Sequence, residues 1–195
     1  KDEGIEYLFN EIEMPLALVL ADMEYKGVKV SKDTLMSQGE DIKTKIESIT
    51  KDIYNIAGEE FNISSPKQLA NILFEKLNLP HKKGNNSTAI EVLNKLKGKH
   101  PIIESIIEYR KLTKLYGTYI EGLINEIKDG KIHTIYSQNG ARTGRLSSIE
   151  PNLQNIPIRD SLGRNIRKAF IPEYEYIYGA DYSQIELRLL AHIAD

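Results

Sequence analysis

The apolar positions of the chain recur mainly at three- and four-residue spacing, which is the repeat of one face of an α-helix. The first such stripe, in residues 5–26, consists of Leu8, Ile12, Leu16, Val19, Leu20 and Met23. The same spacing predicts helices over residues 31–56, 66–79, 89–96 and 101–127. Ser31 is a predicted N-cap, and Pro66 stands at a helix start, where its missing N–H costs nothing. The first two-thirds of the chain is therefore predicted to be helical.

After Gly130 the pattern changes to alternating apolar and polar residues, which is typical of β-strands. Strands are predicted over residues 132–136, 166–171 and 176–181, and a final helix over residues 184–193. Residues 142–159 are rich in Gly, Ser, Asn and Pro and are predicted to be irregular. The predicted fold class is α+β and mostly helical, with long helices followed by a small, incomplete antiparallel sheet.

Composition excludes several classes of protein. The chain has 195 residues and no cysteine, which rules out disulfides, thiolate catalysis and cysteine-ligated zinc. No apolar stretch approaches the roughly 20 residues of a membrane span. The first four residues, Lys-Asp-Glu-Gly, do not resemble a signal peptide, and we expect them to belong to the middle of a longer protein without a membrane anchor.

Charge is distributed unevenly although the net charge is only −2. Residues 1–60 carry 7 basic and 14 acidic side chains, whereas residues 61–130 carry 11 basic and 7 acidic ones. Within residues 142–168 there are six basic side chains against two acidic ones. An arginine-rich segment of this kind suits phosphate contacts, and it is equally compatible with a solvated surface.

Asp181 follows a predicted strand and directly precedes a predicted helix, with Glu186 one turn further on. Phosphoryl or nucleotidyl transfer uses Mg²⁺, which takes hard oxygen ligands and is held by one or two protein carboxylates together with phosphates. Asp181 is thus a candidate ligand. The other interpretation is that Asp181 caps the helix, and on these residues alone both remain open.

Two neighbouring segments carry candidate binding residues. Residues 143–148 (TGRLSS) combine a flexible Gly144 with Arg145, whose planar guanidinium offers a fork of donors. Residues 151–157 (PNLQNIP) place three side-chain amides between two prolines. Amides both donate and accept hydrogen bonds, which suits the minor-groove edges of bases, although a well-capped surface loop has the same composition.

Taken together, these segments resemble the family A DNA polymerases of bacteria. The segments that carry the resemblance are SSPKQL (64–69), EYRKLTKL (108–115), TGRLSS (143–148), PNLQNIPIR (151–159), IRKAF (166–170) and DYSQIELR (181–188). The N-terminal helix with Glu13-Met14-Pro15-Leu16 also matches, so that the resemblance covers essentially the whole chain.

The resemblance implies a division of the chain into three parts. Residues 1–30 would begin the palm, residues 31–127 would form a helical thumb that grips duplex DNA, and residues 128–195 would form the first part of the catalytic palm. The thumb residues expected to contact the DNA backbone are Ser64, Ser65, Lys67, Arg110 and Lys114, together with the loop 82–88. Ala89 departs from the family pattern, in which a polar cap residue is common.

By resemblance, Asp181 and the carbonyl of Tyr182 would bind Mg²⁺, and Glu186 would act as a catalytic-site residue that excludes a ribose 2′-hydroxyl. The residues expected near the primer–template and the incoming deoxynucleoside triphosphate are Arg145, Asn152, Gln154, Asn155, Arg159 and Gln184.

The resemblance implies template-directed addition of deoxynucleotides to a primer 3′ end, in replication and repair in the bacterial cytoplasm. The family's second metal-binding aspartate and its fingers helix would lie beyond residue 195, and we expect no exonuclease domain ahead of residue 1. We therefore expect the 195-residue chain alone to be inactive. The alternatives are a non-catalytic module that binds duplex DNA and a helical scaffold in which Asp181 only caps a helix.

Overall fold

The computed structural model describes residues 3–81, 86–158 and 161–194, and most of them are helical. The α-helices are α1 (Glu3–Tyr7), α2 (Met14–Lys26), α3 (Lys32–Ala57), α4 (Pro66–Ala70), α5 (Ile90–Leu96), α6 (Pro101–Leu115), α7 (Gly122–Glu126), α8 (Ser161–Arg167) and α9 (Ile185–Ala194). Three π-helical segments, Leu8–Glu13, Asn71–Lys76 and Tyr116–Glu121, link α1 to α2, extend α4, and link α6 to α7. The helices predicted in the first two-thirds of the chain are confirmed, although Leu20 is the one buried member of the first stripe.

The longest helix, α3, has the start and the end that its sequence predicts. The Ser31 hydroxyl accepts a hydrogen bond from the backbone N–H of Thr34 at 3.2 Å, as an N-cap does. Gly58 ends the helix in the left-handed conformation, with φ of 73°, which glycine adopts without a steric penalty. Along its length α3 packs against α6.

Two apolar cores lie at the two ends of this helix pair. The first core joins the C-terminal half of α3 to α4, α5 and the start of α6, and its fully buried members include Ile53, Leu69, Leu73, Leu93 and Ile103. The second core joins the start of α3 to the end of α6, the segment 116–121, β2 and α8, and it includes Leu35, Ile42, Leu112, Ile120 and Ile166. Because α3 and α6 contribute to both cores, they hold the two ends in one arrangement.

The strands form two small antiparallel sheets beside the second core. In the first sheet, β1 (Val28–Lys29) pairs with β2 (Lys131–Ile132). In the second, β3 (Ile135–Ser137) pairs with β4 (Ser147–Ile149), with Tyr136 opposite Ser148. Together with the helices, these sheets confirm the predicted α+β, mostly helical fold class.

Two of the three predicted strands are wrong. Residues 166 and 167 end α8, and of the predicted strand 166–171 only Phe170 forms an isolated bridge, to Val30. The overlooked signal is the spacing of Leu162 and Ile166, four residues apart, which is helical; Ile166 is fully buried.

Residues 176–181 form no strand either. A β-prone segment becomes a strand only when a neighbour takes up its backbone hydrogen bonds, and none of the described strands runs beside it. Tyr176 and Tyr178 are accordingly exposed. The helix α9 that follows has no buried residue.

The two cores predict where a truncation is costly. Leu35→Ala removes a fully buried side chain from α3, and we expect it to lower the free energy of unfolding by about 2–5 kcal/mol. The matched control is Leu18→Ala in α2, where the leucine is 75% exposed and the expected change is about 0.5 kcal/mol or less. Urea unfolding followed by circular dichroism measures both. Equal losses in the two variants would contradict the assigned core.

Candidate nucleic-acid interface

The two segments that the sequence marks as binding elements lie side by side. The side-chain amide of Gln154 donates to the backbone carbonyl of Leu146 at 3.1 Å. Asn152 Oδ1 accepts from the backbone N–H of Gln154 at 3.0 Å. The amide-rich segment 151–157 is thereby placed against the segment 143–148 that carries Arg145.

The segment 151–157 is anchored at its C-terminal end by side chains from distant parts of the chain. The Tyr119 hydroxyl donates to the carbonyl of Asn155 at 2.6 Å, and Arg167 Nη2 donates to the carbonyl of Ile156 at 2.9 Å. Tyr119 belongs to the segment 116–121, which continues the long helix α6. The position of the amides is therefore tied directly to the helical body.

The N-terminal end of the same segment is anchored by two buried hydroxyls, Thr134 and Ser148, which are 3% and 1% exposed. Ser148 Oγ accepts from the backbone N–H of Leu153 at 3.1 Å, and Thr134 Oγ1 donates to the carbonyl of Pro151 at 2.8 Å. Sequence reasoning predicted no anchoring role for Tyr119, Thr134, Ser148 or Arg167, although Ser148 and Arg167 lie in segments that carry the resemblance. Their partners are backbone atoms, and side-chain spacing carries no signal for such contacts.

Arg145 and Glu186 meet across the gap between the segment 143–148 and α9. Arg145 Nη2 lies 3.2 Å from Glu186 Oε1, and both side chains are more than 70% exposed. An ion pair this exposed is weak and exchanges readily with other partners. The structure thus brings together two predicted site residues that lie 41 positions apart, with both side chains accessible to a ligand.

Asp181 does not cap α9. The helix begins at Ile185, so that Gln184, with φ of +51°, occupies the position before it. Within the described part of the chain Asp181 makes no hydrogen bond or ion pair, and the neighbouring Tyr182 is 83% exposed. The interpretation of Asp181 as a helix cap is therefore wrong in this structure, and its carboxylate is free to bind a ligand.

A magnesium ion fits the donor set at Asp181 in part. Among residues 3–81, 86–158 and 161–194, no three or more His, Asp or Glu side chains are close enough together to form a metal site. Mg²⁺ is commonly held by one or two carboxylates plus substrate phosphates and waters. The Asp181 carboxylate and the adjacent carbonyl of Tyr182 would supply part of the protein's oxygen ligands to such an ion.

At the opposite end of the helical body, Arg110 fastens the segment 86–89 to α6. Its guanidinium donates to both the carbonyl and the hydroxyl of Thr88, the latter at 3.1 Å, and Thr88 is only 5% exposed. Burial lowers the pKa of Arg110, which nevertheless stays charged at neutral pH. Arg110 was predicted to contact DNA phosphates. In the structure, two of its guanidinium nitrogens are instead bonded to Thr88.

The other residues predicted to contact the DNA backbone lie close to Arg110 or along α6. Ser64 lines the same open depression of about 530 Å³ as Thr88 and Arg110, and its hydroxyl lies 3.5 Å from that of Tyr109. Ser65 accepts from Gln68 N–H at 3.4 Å as the N-cap of α4. Lys67 and Lys114 are exposed and have no ion-pair partner among the described residues. Arg159 and residues 82–85 of the predicted loop lie outside the described residues.

Comparison with known proteins identifies the family. The family model for DNA polymerase family A matches residues 32–195. The chain is 53% identical over 194 residues to DNA polymerase I of Lactococcus lactis subsp. cremoris, covering 97% of this chain and 22% of that protein. It is 51% identical over 195 residues to DNA polymerase I of Geobacillus stearothermophilus, covering 96% of this chain and 22% of that protein.

A solved structure extends the likeness to three dimensions. The POL domain of Pol1 from M. smegmatis, in complex with DNA primer-template and dNTP, superposes with a TM-score of 0.84 at 38% sequence identity. The match covers 96% of this chain and 34% of that chain. The chain belongs to DNA polymerase family A, and it spans about a fifth of the length of the curated relatives it matches. Within the described residues no helix is long and apolar enough to cross a membrane.

The contacts of Arg110 make a testable prediction. Arg110→Lys keeps the positive charge but loses the fork that holds both oxygens of Thr88, and we expect faster hydrogen exchange at the backbone amides of residues 86–89. Hydrogen–deuterium exchange followed by mass spectrometry measures this. The control is Lys114→Arg, an exchange of cations at an exposed position of α6, which should leave those amides unchanged. Equal protection in both variants would show that Arg110 does not fasten this segment.

Proposed function

We propose that the chain forms the thumb and the first part of the catalytic palm of a bacterial DNA-directed DNA polymerase of the DNA polymerase I type. The observation that carries the proposal is the pairing of Arg145 with Glu186 next to the amide-rich segment, whose Gln154 bonds the backbone of Leu146. Family membership supports it, as does the structural neighbour that was solved with DNA primer-template and dNTP.

The helical residues 31–127 act in this proposal as the thumb, which holds the duplex through its backbone. Ser64, Ser65 and Lys67 contact phosphates at the tip, where the first core supports α4. Lys114 contacts phosphates further along α6, where its ammonium is exposed and unpaired within the described residues. Such contacts position the duplex without reading its sequence, as a polymerase that copies any template requires.

The segment 151–157 and Arg145 act on the minor-groove side of the primer end. All correct base pairs present acceptors there at A N3, T O2 and their counterparts in G·C pairs. Donors from Arg145, Asn152, Gln154 and Asn155 therefore recognise a correctly shaped pair irrespective of its sequence. Arg159 is proposed to contribute beside them, and Gln184 to lie near the incoming nucleotide.

Asp181, Tyr182 and Glu186 act on the incoming nucleotide. In the reaction the primer 3′-hydroxyl attacks the α-phosphorus of the triphosphate, and pyrophosphate leaves. The Asp181 carboxylate and the Tyr182 carbonyl would hold Mg²⁺, which when bound neutralises phosphate charge and favours the deprotonated hydroxyl. Glu186 leaves Arg145 and lies beside the sugar, where its carboxylate crowds and desolvates a ribose 2′-hydroxyl.

The exposed apolar side chains of the C-terminal part agree with a role inside a larger polymerase. Helix α9 has three apolar side chains that are each at least 60% exposed, namely Leu187, Leu190 and Ile193. A contiguous exposed apolar face commonly marks a surface that another part of a protein covers. We propose that further palm residues of the polymerase cover α9 and supply the second metal-binding carboxylate. The protein would serve replication and repair in the bacterial cytoplasm, on the nucleoid.

A second function is proposed for the 195-residue chain by itself, namely weak binding of duplex DNA without catalysis. The two cores of the helical body include no residue of α9, so that we expect the proposed thumb surface to form in the isolated chain. We expect no primer extension by this chain, because it holds one of the two carboxylates of the proposed metal site.

The role of Asp181 is tested in a full-length polymerase that carries this chain. Asp181→Asn keeps the size of the side chain and removes its charge, and we expect the primer-extension rate to fall about 100- to 1,000-fold, since each tenfold corresponds to about 1.4 kcal/mol of activation free energy. The control is Asp22→Asn on the exposed face of α2, which should extend at the unaltered rate. A fall of less than about threefold for Asp181→Asn would contradict the proposal.

Duplex binding is tested on the 195-residue chain by fluorescence anisotropy over a range of salt concentrations. We expect affinity to fall steeply as salt rises, and Lys114→Gln to lower the salt dependence by about one phosphate contact. The control is Lys26→Gln at the end of α2, where the lysine pairs with Asp22 away from the thumb. Absence of binding at low salt would contradict the thumb assignment.

A further inference from the structure

The segment 151–157 is held without a strand ladder of its own. It lies between β4 and α8, and prolines at positions 151 and 157 remove two backbone donors. Its fixed geometry therefore depends on hydrogen bonds from side chains. Those at the C-terminal end come from Tyr119 and Arg167, and those at the N-terminal end come from Thr134 and Ser148.

Thr134 and Ser148 form one closed network of hydroxyls. Their oxygens are 2.7 Å apart, and Thr134 Oγ1 also lies 3.0 Å from the carbonyl of Ile149 and 2.8 Å from that of Pro151. Ser148 Oγ lies 3.1 Å from the same Pro151 carbonyl and accepts from Leu153 N–H. Each hydroxyl has one proton, and one consistent assignment follows the shorter contacts: Leu153 N–H donates to Ser148, Ser148 donates to Thr134, and Thr134 donates to the Pro151 carbonyl.

The burial of this network makes it intolerant of a missing member. Both hydroxyls are more than 95% buried, so that a lost partner cannot be replaced by bulk water. Thr134 precedes β3, and Ser148 lies in β4 opposite Tyr136. The small sheet thus holds the start of the amide-rich segment at two backbone positions on either side of Asn152, namely Pro151 and Leu153.

From these contacts we infer that Thr134 and Ser148 are positioning residues that set the discrimination between matched and mismatched primer ends. The inference rests on the proposed function, in which Gln154 and Asn152 meet the minor groove. Neither hydroxyl touches DNA. Both act through the backbone of residues 151–153, which carries Asn152 and precedes Gln154.

The chemical reason lies in how a minor-groove donor recognises a base pair. Correct pairs place their acceptors at nearly the same position, whereas a mismatch displaces them by a fraction of the length of a hydrogen bond. A donor that is held rigidly loses its hydrogen bond when the acceptor is displaced. A donor on a loosened backbone can move with the acceptor, so that the hydrogen bond is retained. Loosening residues 151–153 therefore affects mismatched ends and matched ends differently.

The test compares Thr134→Val with Thr134→Ser in a full-length polymerase that carries this chain. Valine has the shape of threonine without its hydroxyl, and serine keeps the hydroxyl. The measured quantity is the ratio of single-nucleotide extension rates from matched and mismatched primer ends. We expect Thr134→Val to lower this ratio about tenfold, which corresponds to the net loss of about one hydrogen bond, and Thr134→Ser to stay within about twofold of the unaltered protein.

Two further variants complete the experiment. Thr50→Val removes a hydroxyl that bonds the Ile46 carbonyl within α3 at 2.7 Å, far from the amide-rich segment, and should leave the ratio unchanged. Ser148→Ala is the smaller change to the network and carries the same expectation as Thr134→Val, so that the inference stays testable if the valine variant does not fold.

The outcomes separate this inference from the proposed function. If the network variants slow extension from matched and mismatched ends equally, with an unchanged ratio, the hydroxyls stabilise the fold only and the inference is overturned. An unchanged ratio with unchanged rates overturns it as well. If the unaltered polymerase does not extend a primer at all, the proposed function itself fails.

Discussion

The packing of α3 along α6 is the constraint on which the rest of the structure depends. Each helix contributes fully buried residues to both apolar cores, so that neither core can shift without the other. One end of the pair supports α4 and the Arg110–Thr88 contact, and the other supports Tyr119 and the anchored segment 151–157. The surface proposed to grip a duplex and the surface proposed to contact its primer end are therefore held at a set separation by one pair of helices.

The surface formed by residues 143–148 and 151–157 is held in place by a different kind of contact. It contains little regular secondary structure, and buried side-chain donors and acceptors replace the ladder that a strand would have. The polar side chains of Asn152 and Gln154 are therefore exposed, while the buried hydroxyls of Thr134 and Ser148 hold the neighbouring backbone. By contrast, among the described residues the side chains of Arg145 and Glu186 bond only to each other at the surface, as would suit the proposed exchange of that pairing for substrate.

The helical body was predictable from the sequence because α3 and α6 each bury one stripe of apolar residues, and the repeat of 3.6 residues records that stripe directly. In the C-terminal part the helix predicted over residues 184–193 is confirmed as α9, whereas two of the predicted strands are wrong. Residues 161–167 bury Ile166 through a helical spacing too short to stand out, and residues 176–181 are β-prone without a neighbour to pair with.

The candidate site shows the same division between local signals and contacts in space. Asp181, Arg145, Gln154 and Glu186 were identified from their residue types and from resemblance, and the structure adds that Arg145 meets Glu186. The anchoring roles of Thr134, Ser148, Tyr119 and Arg167 were missed because these side chains bond to backbone atoms of the irregular segment 151–157, and no spacing rule encodes such contacts. The most direct measurement of the central claim is primer extension by a chimera, in which this chain replaces the matching region of DNA polymerase I from Geobacillus stearothermophilus. The account predicts template-directed extension, whereas a folded chimera that adds no nucleotide would contradict it.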